Sequence, residues 1–90
     1  MSARPEVQWF AEQMEAALKR NDHKGGWLLC DRLWLQRRLL SKFRELCAEI
    51  RPEMVMREAA DVANFAMMIA DCSTPSTCFT VTVRCVKVKP

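Results

Sequence analysis

Apolar residues recur along the first two-thirds of the chain at helical intervals, in three runs separated by breakers. In the first run Val7, Phe10, Met14, Ala17 and Leu18 follow Pro5 at spacings of three and four. Proline suits the first turn of a helix, where its missing amide has no partner to lose, so the pattern predicts a helix over residues 5–20. Asn21 tolerates the left-handed conformation that closes helices, and the segment NDHKGGW, with two adjacent glycines, reads as a short, defined loop.

The second run opens at Asp31, whose carboxylate can cap a helix start. Leu35, Leu39, Phe43, Leu46 and Ile50 then form one stripe, widened by Leu40 and Cys47, over a helix of about residues 32–50. Its other face carries Gln36, Arg37, Arg38, Ser41, Lys42, Arg44, Glu45 and Glu49. Pro52 ends this helix or opens the next. The third run, over residues 53–71, has apolar residues around almost its whole circumference, including Met54, Val55, Ala60, Val62, Phe65 and Ile69. That distribution predicts a buried helix.

Beyond it the pattern changes period. CSTPST is rich in turn formers, and FTVTVRCVKVK alternates apolar and polar residues with many β-branched side chains, placing Phe79, Val81, Val83 and Cys85 on one face of a strand. A lone strand needs a partner, either across a subunit interface or against the helices. The expected architecture is therefore mostly α: a small helical bundle over residues 1–71, with a turn-rich linker and a short C-terminal β-strand or hairpin over residues 72–90.

Ninety residues suffice for one core and not for two, and a core of this size gains from self-association, a metal or a partner, so a homo-oligomer of two or more copies is expected. The most apolar stretch, Val62 to Ala70, is far shorter than the roughly 20 residues that span a bilayer. The N-terminal segment has no apolar signal core, which predicts a cytoplasmic protein without a membrane contact. Five cysteines, at 30, 47, 72, 78 and 85, leave one unpaired under any disulfide scheme and show no zinc spacing; they read as reduced thiols, with Cys47 a small buried hydrophobe. The net charge of +3 comes entirely from Arg84, Lys87 and Lys89, so the helical body is neutral and points away from nucleic acid.

The candidate chemistry lies on the third helix. Glu58, Asp61 and Asn64 are spaced by three and project from one side. Two carboxylates on a helix patterned for burial need a counter-charge. Either Mg²⁺, which takes oxygen ligands and bridges to phosphates, or a basic side chain such as Lys42, Arg38 or Arg57 supplies it. Lys24 beside the loop glycines can neutralise a phosphate or lie free on the surface. Trp27 and Trp34 either stack on a base or pack in the core or an interface.

HKGGW at 23–27, ELCAEI at 45–50 and EAADVANFAMMIAD at 58–71 resemble, in that order, a phage and bacterial branch of the MazG-like nucleotide pyrophosphohydrolases over residues 5–71. The resemblance implies an oligomeric all-α bundle that hydrolyses nucleoside triphosphates to monophosphate and pyrophosphate. It also implies an EExxE motif that holds metal opposite ExxD. Transferred by position, ExxD is Glu58 and Asp61, and the last glutamate of EExxE is Glu45; Lys24 and Asn64 would bind substrate. The first two glutamates fall on Ser41 and Lys42, with Glu49 one turn beyond Glu45 as a substitute ligand.

Two functions follow. One is a Mg²⁺-dependent pyrophosphohydrolase with Glu45, Glu58 and Asp61 as the metal-holding, catalytic set. The other is a catalytically inactive relative, in which the Lys42 ammonium, within about 4 Å of two carboxylates, takes the electrostatic role of the metal. Such a relative would act by binding a nucleotide or, through its C-terminal strand, another protein.

Overall fold

The computed structural model describes residues 3–73. They form three α-helices, α1 (Pro5–Arg20), α2 (Arg32–Ala48) and α3 (Pro52–Asp71), with a single 3₁₀ turn at Asp22–Lys24 between the first two. The helical part of the expected architecture is present. The expected strand lies outside the described residues, and among these there is no strand.

Each helix end has a local cause. Arg4 is extended before Pro5, and its carbonyl accepts from the amides of Val7 and Gln8, both at 3.0 Å. Asp31 caps α2 as its position predicts, Oδ1 accepting the Trp34 amide at 2.7 Å. The expected end of that helix at residue 50 moves back to Ala48. Glu49 and Arg51 are both extended, the latter in the conformation that a following proline favours, and Pro52 opens α3 in the first helical turn. Glu49 Oε1 holds this corner by accepting from the Arg51 amide (3.2 Å) and Nε (3.0 Å).

Asn21 is not left-handed, contrary to its sequence expectation; at φ −109°, ψ 11° the chain runs directly into the 3₁₀ turn. Its side chain instead donates to the Ala17 carbonyl at 2.9 Å, satisfying an end-of-helix acceptor. The left-handed residue is Gly25, at φ 85°, where a side chain would be strained.

Helix α3 is the centre of the assembly, with α1 and α2 packed against it and scarcely against each other. The core is accordingly thin. Ala17, Leu35 and Ala60 are its buried apolar residues, and Asn64 is buried with them. Helix α3 is therefore only partly covered: most of its apolar side chains are half-buried, because two neighbours cannot enclose a helix on all sides. The α2 stripe divides likewise. Leu35 is fully buried and Leu39 and Leu46 half-buried, whereas Leu40, Phe43 and Ile50 are 48%, 50% and 89% exposed. Cys47, expected inside, is exposed on the same outer face. Among the described residues no helix is long and apolar enough to cross a membrane.

Candidate functional site

The failure of α1 and α2 to close on each other leaves a cleft of about 800 Å³ over α3. This lies within the usual range for small-molecule sites. Its floor is α3, one wall is α2, and its mouth is the end of α1 with the Asp22–Trp27 loop. Glycines 25 and 26 line the mouth with open space where a Cβ would stand, so the backbone there is accessible to a ligand.

Spacings along α2 and α3 assemble the wall and the floor. Trp34, Arg38 and Lys42 succeed each other at intervals of four and face Glu58, Asp61, Asn64 and Phe65 at intervals of three, three and one. Lys42 lies between two carboxylates, Nζ 3.5 Å from Glu45 Oε1 and 3.6 Å from Asp61 Oδ2. Of the residues the sequence singled out, Lys24, Lys42, Glu58, Asp61, Asn64, Trp27 and Trp34 all line the cleft. Glu45 stands at its edge through Lys42, and Glu49 is engaged by Arg51 at the helix corner.

Glu58 has the most unusual environment. Its Oε1 is buried with no hydrogen-bond partner. Burial raises the carboxyl above the ordinary glutamate range; the charge of Glu45 adds to this, Lys42 opposes it, and Asp61 and Glu49 contribute further upward. The hydrogen bonds from Arg51 hold Glu49 below that range.

The fit to Mg²⁺ follows from these contacts. Among the described residues no group of three His, Cys, Asp or Glu side chains is placed to hold a metal ion. Of the carboxylates implied by the resemblance, Glu45 and Asp61 are instead drawn to the Lys42 ammonium, Glu58 Oε1 has no partner, and Glu49 is turned to Arg51. This arrangement does not fit a magnesium site, since a hard divalent ion needs its oxygen ligands gathered around it.

Asn64 is 4% exposed and shares the cleft floor. Its Nδ2 donates to the Met14 carbonyl on α1 at 3.0 Å. That bond fixes the amide orientation and leaves Oδ1 buried without a donor. Nearby, Trp34 meets Phe65 edge to face at 6.5 Å, and the Arg38 guanidinium stands 6.0 Å and 5.7 Å from the two ring centres. Trp34 is 47% exposed, so it is a cleft wall and not a core residue. Trp27 Nε1 donates to Asp71 Oδ2 at 3.0 Å, tying the glycine loop to the far end of α3.

No family model, curated protein or solved structure matches this chain. The functional reading therefore rests on the residues themselves. Sequence reasoning did not identify the cationic character of the cleft, whose lining holds Arg20, Lys24, Arg38, Lys42 and Arg57 together with Asp22, Glu58 and Asp61. The signal available was weak: these cations come from four elements, and only the pair Arg38 and Lys42, one turn apart beside Trp34, shares a helical face.

Proposed function

We propose that the chain is a MazG-like helical domain whose metal position has been taken by Lys42, and that it works by binding a ligand in the cleft and not by hydrolysing one. The observation that carries this reading is the ammonium of Lys42 at 3.5 Å from Glu45 and 3.6 Å from Asp61. A single positive charge there neutralises part of the carboxylate cluster that the family pattern reserves for metal. It offers neither a Lewis acid for phosphate nor an activated water. Ser41, the other position where the family pattern has a glutamate, supplies no carboxylate.

The test is pyrophosphate release from a panel of nucleoside triphosphates with Mg²⁺, for the wild type and for Ser41→Glu/Lys42→Glu. The wild type is expected to release no more pyrophosphate than the buffer. The double variant restores the full carboxylate pattern and is expected to gain metal binding. Robust wild-type turnover would overturn the proposal in favour of the hydrolase with Glu45, Glu58 and Asp61 as its catalytic set.

A further inference from the structure

The exposed faces of α1 and α2 carry opposite charge. From Arg32 to Arg44, α2 holds Arg32, Arg37, Arg38, Lys42 and Arg44 and no carboxylate; from Pro5 to Leu18, α1 holds Glu6, Glu12 and Glu15 and no cation. Arg38 and Lys42 line the cleft, whereas Arg32, Arg37 and Arg44 are exposed elsewhere on α2. Among the described residues neither these three arginines nor the three glutamates of α1 take part in an ion pair.

Each face also carries an apolar seam. On α2, Leu33, Leu40 and Cys47 recur every seven residues, Phe43 lies three beyond Leu40, and all four are exposed. Arg37 and Arg44, four beyond Leu33 and Leu40, flank that seam along its length. On α1, Trp9 is 50% exposed, and exposed Glu12 and Ala16 lie three and seven residues beyond it on the same side, with exposed Glu15 beside them. None of Trp9, Glu12, Glu15, Arg37 and Arg44 lines the cleft.

A second copy can cover the α2 seam with its own α2 or with its α1. The first pairing sets Arg37 and Arg44 against the same arginines of the other copy, and like charges flanking a helix pair oppose association. The second sets them against Glu12 and Glu15. The two helices also match in reach, since 16 and 17 residues give lengths of about 24 and 26 Å.

We infer that the chain assembles head to tail, the acidic outer face of α1 in one copy seated on the basic outer face of α2 in the next. Helices α1 and α2 pack on α3 and scarcely on each other, so their outer faces are separate and each copy holds one neighbour on each. A contact between unlike faces closes into a ring or continues as an open chain, in contrast to the self-complementary patch of a two-fold dimer. Lys42 and the cleft take no part in it.

The experiment is light scattering on the full chain across protein concentration and salt, for the wild type, Arg37→Glu/Arg44→Glu, Glu12→Lys/Glu15→Lys and an equimolar mixture of the two variants. The wild-type mass is expected to rise with concentration and to fall as salt screens the contact. Each double variant sets like charges face to face and is expected to assemble about tenfold more weakly, or worse. Helix content by circular dichroism should stay at the wild-type level, because all four side chains are exposed. In the mixture the acidic α1 of one variant meets the basic α2 of the other, and the basic α1 meets the acidic α2, so assembly is expected to return.

Assembly of Glu12→Lys/Glu15→Lys as strong as that of the wild type would overturn the inference and leave the α2 seam to a second α2. A mixture that stays at the mass of its separate variants would refute it as well. So would a wild-type mass that is indifferent to salt, or that remains at one copy at every concentration.

Discussion

Lys42 on α2 reaches Asp61 on α3 across the helix pair, Nζ to Oδ2 at 3.6 Å, and is the one cation bridging these helices among the described residues. The pair is partly screened, at 21% and 25% side-chain exposure, so its own contribution is modest. Removing the ammonium also leaves Glu58 and Asp61 facing each other and Glu45 uncompensated. Lys42→Met is expected to lower stability by about 1 kcal/mol, near the upper end for partly exposed pairs. For a domain of this size that is roughly 4–8 °C in melting temperature, read by circular dichroism. A melting temperature equal to or above that of the wild type would mean that the carboxylates need no counter-charge from this lysine.

The same position predicts a response to metal. A ligand that binds only the folded state raises the melting temperature with its concentration. Wild-type melting is expected to be flat as Mg²⁺ rises at constant ionic strength, because Lys42 already faces Asp61 and Glu45. Ser41→Glu/Lys42→Glu should melt lower than the wild type without metal, through carboxylate repulsion, and rise as Mg²⁺ is added. A rising curve for the wild type would contradict the assignment of Lys42.

Glu58 predicts a pH dependence with a definite sign. Its carboxyl is raised in the folded state by burial and by neighbouring carboxylates, so the folded chain binds the proton more tightly than the unfolded chain does. The ionised form is therefore a cost, absent below the ordinary glutamate range and complete once pH exceeds the raised value. Glu58→Gln should melt higher than the wild type at neutral pH, with the difference shrinking to nothing as pH falls through the glutamate range. Paired melts from pH 4 to 8 would measure it, and a destabilised Gln variant at neutral pH would show that the ionised carboxylate is wanted there.

The part of this site legible in the sequence was the part written at helical spacing. Glu58, Asp61 and Asn64 share a face because three residues make most of a turn, and they do line the cleft. Lys42 was legible as a charge where the motif pattern has a glutamate. What could not be read was how far each apolar stripe would be covered. Cys47 and Phe43 carry the same local pattern as Leu35, yet Leu35 is fully buried while Phe43 is half exposed and Cys47 exposed. Hydrophobic spacing identifies a face, and only the number of neighbouring helices decides whether it is buried. Asn21 is similar: its residue type suits a left-handed cap, and the 3₁₀ turn that follows removed the need for one.

Asn64 ties α1 to α3 through its bond to the Met14 carbonyl, the one side-chain hydrogen bond between those helices among the described residues. Asn64→Ala is expected to cost about 1–3 kcal/mol in urea unfolding, from the lost bond and the space left under α1. Asn64→Asp should cost more than Asn64→Ala, since it removes the donor and adds a third carboxylate beside Glu58 and Asp61. The order of the two variants is the informative readout, and an Asp variant as stable as the Ala variant would mean that a cation or solvent reaches the position.

The outer face of α2 carries the last prediction. Leu33, Leu40 and Phe43 are 56%, 48% and 50% exposed, with exposed Cys47 at the next heptad step from Leu40. They lie on one side of the helix, turned away from Lys42 and the cleft, since spacings of seven and three return to the same stripe. With a core reduced to Ala17, Leu35 and Ala60, burying that stripe against a second copy would add apolar contact where the single chain has least of it. Light scattering is expected to give the mass of an oligomer for the wild type and of a monomer for Phe43→Glu, a charge that cannot be desolvated without a partner. An assembly mass unchanged by Phe43→Glu would place the contact elsewhere on the chain.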